Sequence, residues 1–368
     1  MVEEIAFKIS VYAKSDVGVV RSGNEDNFLV LNLSTADTWK PESPDENPPV
    51  SLTSFSQSHY GSLIAVTDGM GGALAGEVAS RLAVECVRDR MLELQASPSY
   101  SKFSFPERLR LSIELANLYV YQMSAKRAEY NGMGATFTAV GLSGTDAYFG
   151  QVGDSRAYLI RDRHIQQVTR DQSLVGQLVE AGHLTEEEAE RHSYRNVILQ
   201  ALGASPNLNV VIDRLPIRDM DTFALCSDGL SNKVRPDEMK AIIDQSGSLK
   251  EACESLINLA NERGGEDNIT VLIAQVSGGR LTPAEGQRTT ALLTSDSGQF
   301  FLTTDSGQHS LISDSGQQQK WLERWGAETL PRNPDLPYHI DHDLLDDEEE
   351  ATLPPEEDTF PPTEKLGE

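Results

Sequence analysis

Carboxylate side chains recur in this sequence where an apolar, strand-like run begins or ends beside a glycine or a second acid. The positions are Glu25 with Asp26, Asp68, Asp154, Asp228 and Asp267. The tips of neighbouring strands can meet, and carboxylates that meet repel each other unless cations neutralise them. Hard divalent cations prefer oxygen ligands, and none of these positions holds His or Cys. The pattern therefore predicts Mg²⁺ or Mn²⁺ and argues against zinc or copper.

The segment 65–76, AVTDGMGGALAG, shows this arrangement most clearly. An apolar run ends at Asp68, and three glycines follow before a helical pattern begins, so the backbone can adopt conformations that a Cβ would forbid. A carboxylate at a strand tip beside open backbone carbonyls could bind a metal ion and phosphate. The alternative is that Asp68-Gly69 is simply a turn signal, as most Asp-Gly pairs are.

Short strands and amphipathic helices must position these carboxylates. Three β-rich segments, GATFTAVGL, DAYFGQVGDSRAYLIRD and HIQQVT, follow one another too closely for helices to intervene, which predicts antiparallel pairing. Helical spacing precedes them at 78–87 and 109–123 and returns at about 236–244 and 249–262, before a last strand that ends near Ser277. Strands, then helices, then strands again indicate an α+β fold.

Two segments interrupt this pattern. Residues 34–60 contain four prolines among polar residues, which predicts an exposed insertion loop. Residues 171–203 change to a helical pattern, with Thr185 and Glu188 in capping-box spacing, which predicts a helical excursion between strands.

Length and charge predict one large domain followed by a tail. The chain has 368 residues, more than the roughly 250–300 that one hydrophobic core usually supports. The formal net charge is −26, and nineteen acidic but only six basic residues lie from Arg280 onward. We therefore predict a domain at 1–277 and an acidic tail at 278–368. Such a charge disfavours nucleic acid and anionic membranes as partners.

The cysteines and the first residues predict a cytoplasmic protein. Cys86, Cys226 and Cys253 are odd in number, far apart and on apolar faces, which favours buried thiols over disulfides. The chain begins with acidic residues and contains no apolar run of about 18 residues, so we expect neither a secretion signal nor a membrane span.

Six segments in order carry a family resemblance: RSGNED, AVTDGMGG, MGATFTAV, FGQVGDSRAYL, ALCSDGL and EDNITVLI. Together they resemble the protein phosphatase 2C family, the metal-dependent serine/threonine phosphatases, in its bacterial form. The resemblance covers roughly residues 6–277. It implies a four-layer α-β-β-α sandwich of two antiparallel sheets flanked by helices. It also implies hydrolysis of phosphoserine and phosphothreonine by a water that two Mn²⁺ or Mg²⁺ ions activate.

The resemblance assigns metal-binding roles to most of the carboxylates. Asp68 would bridge two metal ions, and Gly69 would offer its backbone carbonyl to one of them. Asp228 and Asp267 would complete the shell of the other ion. Glu25 would act through a metal-bound water.

The remaining positions receive supporting roles. Asp26 would support the metal shell, and Arg21 would grip the substrate phosphate through its planar guanidinium. Asp154 and Asp228 would hold a weaker third ion, although Asn232 stands where the family often has an aspartate. The alternatives are that Arg21 is a surface charge partner of Asp26 and that Asp154 only caps a turn.

The resemblance also implies partners. Phosphorylated proteins would be the substrates, a serine/threonine kinase the counterpart, and a monomer the working form, with residues 171–203 forming a mobile flap beside the site. Two other functions remain open at this stage. One is a metal-binding pseudophosphatase that acts as a scaffold, and the other is a phosphohydrolase of small phosphorylated metabolites.

The tail contains a nine-residue repeat. LTSDSGQ begins at Leu293, LTTDSGQ at Leu302 and LISDSGQ at Leu311. Each unit has too few apolar residues to bury a core, and 330–368 is acidic and proline-rich, so we expect a largely disordered tail. Its serines and threonines beside acids could be phosphoacceptors or short docking motifs.

Overall fold

The computed structural model describes residues 7–41, 48–71, 75–97, 102–279 and 281, and the backbone of two strands at 301–304 and 307–310. The chain divides into two compact units, Met1–Thr294 and Ser295–Glu368. In the second unit, Phe301–Thr304 pairs antiparallel with Gly307–Ser310, and both strands include residues of the middle repeat. The predicted disorder of the rest of the tail lies outside the described residues.

The strands of the first unit are short and follow the turn-rich pattern of the sequence. They are β1 (Lys8–Asp16), β2 (Asp26–Asn32), β3 (Thr38–Trp39), β4 (Ser54–Ser56), β5 (Ser62–Met70), β6 (Gly134–Ala135), β7 (Phe137–Ser143), β8 (Asp146–Val152), β9 (Arg156–Arg161), β10 (His164–Gln167), β11 (Val211–Pro216), β12 (Thr222–Cys226) and β13 (Ile269–Ser277).

The helices fall into two long pairs and several short pieces. They are α1 (Val50–Thr53), α2 (Ala75–Ala96), α3 (Phe105–Lys126), α4 (Leu174–Glu180), α5 (Glu186–Glu190), α6 (Asp228–Ser231), α7 (Pro236–Gln245) and α8 (Leu249–Glu262). A 3₁₀ turn covers Ala128–Tyr130.

Two antiparallel sheets result. The six-stranded sheet has the order β10-β9-β12-β13-β1-β4, and the seven-stranded sheet has the order β11-β8-β7-β5-β2-β3 with β6 beside β5. Because side chains alternate between the two faces of a strand, each sheet can bury both faces. Leu29 and Leu31 of β2 pack with α2 and α3, while Phe28 and Val30 face the other sheet.

The six-stranded sheet alternates in the same way. Phe223 and Leu225 of β12 enter the core between the sheets, and Ala224 and Cys226 pack with the core beneath α7 and α8. Three apolar layers therefore separate four layers of secondary structure. This arrangement confirms the predicted α-β-β-α sandwich.

Residues 34–60 are more than the predicted exposed loop. The β3 segment of this range pairs with β2, and β4 pairs with β1. Trp39 is buried against Phe28, with ring centroids 5.0 Å apart, and Leu52 has no exposed surface. The expectation was incorrect for these residues because two isolated apolar anchors in a proline-rich stretch carry no periodic signal. Residues 42–47 lie outside the described residues.

Residues 171–203 contain the predicted helical excursion. Helices α4 and α5 lie here, and the capping box of Thr185 with Glu188 is present at the start of α5. Isolated β-bridges join this segment to itself and to β6. We call residues 171–203 the flap segment.

The first unit extends beyond the predicted boundary at 277. Leu281 is buried and belongs to the core between the sheets, and Gly278 N donates to Asp219 Oδ1 at 2.8 Å. The strand pattern ends at Ser277, so one apolar residue past a Gly-Gly pair gave no signal of this packing.

Two further observations concern compartment. Cys86, Cys226 and Cys253 are free thiols, and the last two are buried. Among the residues that the structure describes, no helix is long and apolar enough to cross a membrane.

The packing of Leu281 gives a first prediction. Leu281→Ala should lower the free energy of unfolding by about 2 kcal/mol, because the lost side chain leaves a cavity between the sheets. Thermal unfolding of the full chain measures this, and Met220→Ala, at an exposed position, is the control. Equal melting temperatures for the two variants would show that the domain ends at Ser277.

Candidate metal and phosphate site

Strand pairing brings the predicted carboxylates to one edge of the sandwich. Asp26 at the start of β2 lies directly opposite Asp68 near the end of β5 in the antiparallel register. In the other sheet, Asp228 follows the end of β12 and Asp267 precedes the start of β13, its antiparallel neighbour. Asp154 lies in the connection from β8 to β9, which crosses between the sheets.

The Asp26 and Asp68 carboxyls form the buried floor of the site. Burial raises the pKa of Asp26, and the hydroxyl of Ser227 opposes this shift by donating to Asp26 Oδ2 at 2.6 Å. Burial also raises the pKa of Asp68 well above its ordinary value, and the charges of Asp26, Asp228 and Asp154 add to that rise. The floor therefore favours protons or cations near these oxygens.

Asp154 and Asp228 line the same space. Burial, then the charges of Asp228 and Asp171, raise the pKa of Asp154 to about 7. The pKa of Asp228 is raised by burial and by the charge of Asp267, while the hydrogen bond that Asn232 donates to Asp228 Oδ2 opposes the rise.

Glu25 is held against the first turn of α2 by close backbone packing. A Cβ on Gly76 would lie 2.7 Å from Glu25 Cδ, and a Cβ on Gly69 would lie 2.1 Å from Gly76 O. Only glycine fits both positions without moving the backbone. The glycines of the motif therefore bring Glu25 and the Gly69 backbone beside Asp68.

Arg21 lies at the open rim and contacts Asp267. Arg21 Nη2 donates to Asp267 Oδ2 at 3.0 Å, and both side chains are more than a third exposed. The Asp267 charge is the main cause that raises the pKa of Arg21, and Glu25 and Asp68 contribute. Its partner is therefore Asp267 and not Asp26, the surface partner considered from the sequence.

Three polar residues that the sequence reading missed hold the carboxylates in place. Asn268 Oδ1 accepts from Glu25 N at 2.8 Å, and its Nδ2 donates to the carbonyls of Val17 and Gly23. Thr136 Oγ1 accepts from the Asp68 N–H at 2.8 Å. The third is Ser227 beneath Asp26. Each lies inside one of the six segments quoted from the sequence, which is the signal that could have identified it.

The first two residues of the flap segment, Asp171 and Gln172, form hydrogen bonds with the turn that carries Asp154. Arg156 donates to both oxygens of Asp171, at 2.7 to 3.1 Å. Gln172 exchanges two hydrogen bonds with the Gly153 backbone, both 2.9 Å long. The two flap residues therefore hold both sides of Asp154, a link between distant positions that no local pattern reveals.

The residues present fit a divalent cation. Asp26 Oδ1 and Asp228 Oδ1 are buried and have no hydrogen-bond partner. Burying a carboxylate oxygen without a partner costs free energy, and a bound cation compensates this cost by neutralising the charge. Among the described residues, no three acidic, His or Cys side chains are already grouped as a chelate. Asp228 instead accepts a hydrogen bond from Asn232, and Asp267 accepts one from Arg21.

The raised pKa values predict how stability depends on pH in the metal-free protein. An unfolded Asp titrates near 3.8, whereas Asp154 in the folded chain titrates near 7 and Asp26 and Asp68 are also raised. From about pH 4 to 7 the folded chain keeps protons that the unfolded chain has released, so stability falls as pH rises.

The measurement is thermal unfolding with a chelator present. The melting temperature should fall between pH 5 and 8, and Asp68→Asn, which removes one carboxylate of the cluster, should reduce the slope. Parallel curves for wild type and variant would show that these carboxylates do not repel one another.

The family model of protein phosphatase 2C matches residues 52–276 of this chain. The serine/threonine phosphatase Stp of Listeria welshimeri is 34% identical over 262 residues, which are 71% of this chain and 94% of that protein. The protein phosphatase PhpP of Streptococcus pneumoniae is 34% identical over 215 residues, 58% of this chain and 86% of that one.

Solved structures give the same result. The catalytic domain of the serine/threonine protein phosphatase PstP, in complex with two manganese ions, superposes with a TM-score of 0.59 at 29% identity. The match covers 74% of this chain and 100% of that chain. Stp1 from Staphylococcus aureus superposes with a TM-score of 0.62 at 28% identity, covering 73% and 96%. This chain belongs to the protein phosphatase 2C family.

Proposed function

We propose that this protein is a metal-dependent serine/threonine phosphatase that uses Mn²⁺ or Mg²⁺. The observation that carries the proposal is the gathering of Asp26, Asp68, Asp154 and Asp228 at one edge of both sheets, where two buried carboxylate oxygens lack partners. The names of the Listeria and S. pneumoniae relatives support a protein phosphatase.

Five groups would hold two ions. Asp68 lies centrally among the carboxylates and would bridge the ions, with the Gly69 carbonyl beside it. Asp228 and Asp267 from the other sheet would complete one shell, and Glu25 would reach the other through water. Bound ions of this kind supply an activated water and neutralise charge on the phosphoryl oxygens.

The other site residues position substrate and ligands. Arg21 is exposed enough to exchange Asp267 for the phosphate dianion, which its planar fork can bind with two hydrogen bonds. Asp26, buried and fixed by Ser227, would orient the shell from beneath without touching substrate. Asp154 would hold a weaker third ion together with Asp228, where Asn232 already occupies one Asp228 oxygen.

The charge and the cysteines support the assignments of partner and compartment. The acidic charge makes nucleic acid an unsuitable partner, and three free thiols, two of them buried, suit a reducing cytoplasm. We propose a monomeric enzyme opposed to a serine/threonine kinase. The pseudophosphatase alternative is disfavoured because every carboxylate of the predicted ligand set is present. A comparison of substrates distinguishes the protein phosphatase from a phosphohydrolase of small phosphorylated metabolites.

Asp68→Asn should abolish turnover of a phosphothreonine peptide, because the proposed bridging carboxylate is lost while the isosteric amide keeps the fold. The matched control is Asp213→Asn, at a half-buried position of β11 in the same domain. Residual activity above about one per cent of wild type would remove Asp68 from a two-metal site.

Arg21→Ala should raise KM for the phosphopeptide by about ten-fold or more while changing the Mn²⁺ requirement little, because the guanidinium contacts phosphate. Arg163→Ala, at an exposed turn, is the control. An unchanged KM would show that Arg21 does not bind the substrate phosphate and only pairs with Asp267.

The substrate class is tested by comparing a phosphothreonine peptide with sugar phosphates in the presence of Mn²⁺. The peptide should have the higher kcat/KM by about a hundred-fold, an order-of-magnitude expectation for substrate discrimination, and a chelator should remove both activities. A preference for the sugar phosphates would favour the metabolite alternative, and no turnover of any phosphoester would favour the scaffold.

A further inference from the structure

Exposed apolar side chains are concentrated beside the candidate site. Among the described residues, eight large apolar side chains are exposed, and six of them lie on two segments. One segment is 17–20, directly before Arg21, and the other is 194–199 in the flap segment. The six residues are Val17, Val19, Val20, Tyr194, Val197 and Leu199.

The valine segment is fixed in its exposed position. Val19 N donates to Gly265 O at 2.9 Å, and Val17 O accepts from Asn268 Nδ2 at 2.9 Å. Gly18 has a φ of 79°, and a Cβ there would lie 2.3 Å from Asp267 O, so the backbone packs closely on the loop that carries Asp267. Val19 and Val20 nevertheless keep 63% and 64% of their surface exposed. The fold thus holds two valines rigidly in solvent beside Arg21.

The flap residues are fixed to the other side of the site. Leu199 N donates to Gln172 O at 2.8 Å, and Val197 O accepts from Leu174 N at 2.9 Å. Gln172 is in turn bonded to Gly153, the neighbour of Asp154. The apolar side chains of this segment therefore stand on backbone that is tied to the carboxylate cluster.

Each segment is bonded to a different part of the carboxylate cluster. The valine segment is bonded to Gly265 and Asn268, on either side of Asp267. The flap residues are bonded through Gln172 to Gly153, the neighbour of Asp154. The two apolar segments therefore flank the cluster, the valines on the Asp267 side and the flap residues on the Asp154 side.

We propose that Val19 with Val20, and Tyr194 with Val197 and Leu199, bind apolar side chains on either side of the phosphorylated residue. The substrate class would then be phosphoproteins with aliphatic or aromatic residues flanking phosphothreonine or phosphoserine. This inference rests on the proposed phosphatase function. Ion pairing supports this occupant, because Glu266 is paired with Lys233 and Asp267 with Arg21, so these charges are compensated within the protein and the exposed valines are left to contact the residues beside the phosphorylated one.

The test compares two phosphothreonine peptides, one with Leu and Val beside the phosphothreonine and one with Ser and Gln. The double variant Val19→Ser/Val20→Ser of the full chain should lower the ratio of kcat/KM for the apolar peptide to kcat/KM for the polar peptide by about ten-fold. Each lost apolar contact weakens the preference of the enzyme for the apolar peptide. Tyr194→Ser should act in the same direction. Val50→Ser, a valine that is 87% exposed on α1, should keep the wild-type ratio.

Three results would overturn the proposal. One is a wild-type enzyme that hydrolyses both peptides equally well. Another is a valine variant that keeps the wild-type ratio. The third is a wild-type chain that self-associates in sedimentation while the valine variant does not, because the patch would then bind a second copy. If wild type hydrolyses neither peptide nor an aryl phosphate, the phosphatase proposal itself has failed.

Discussion

Repulsion between carboxylates at one edge of two sheets is the constraint on which this structure depends. Asp26 and Asp68 are paired across two strands, and Asp228 approaches them from the opposite sheet. Burial, and then the charges of Asp26 and Asp228, raise the pKa of Asp68. Burial makes this arrangement costly, because a carboxylate in low dielectric has lost its hydration. Protons or cations must therefore compensate the charge. The site is built to need a ligand of positive charge.

Apolar packing elsewhere in the sandwich offsets the free-energy cost of burying these carboxylates. Three apolar cores separate its four layers, and the strands that carry the site are interior strands of their sheets. Polar side chains then fix the carboxylates individually, as Ser227 does for Asp26 and Asn268 for the Glu25 backbone. Rigid support of this kind keeps ligands in place before a cation binds. The flap segment is joined to the turn of Asp154 by separate contacts, those of Asp171 with Arg156 and of Gln172 with Gly153.

The sequence predicted the parts of the site that local motifs encode. Asp68 and Asp228 stand at the ends of recognisable strands, so their convergence followed once the sheets were predicted to be antiparallel. Contacts between distant positions were missed, as with Arg156 and Asp171 or the burial of Leu281, because neither end carries a periodic signal. Arg21 was identified as a site residue, but its ion pair with Asp267 depends on how two loops meet.

Proton release on Mn²⁺ binding reports directly on the charge of the carboxylate cluster. Titration calorimetry in buffers of different ionisation enthalpy counts the protons that leave the protein. Mn²⁺ should bind with release of about one proton or more at pH 6, because carboxyls such as Asp154 are protonated there, and with little release at pH 8.5. Binding without proton release at pH 6, or no binding at all, would contradict a cluster that holds protons until a cation replaces them.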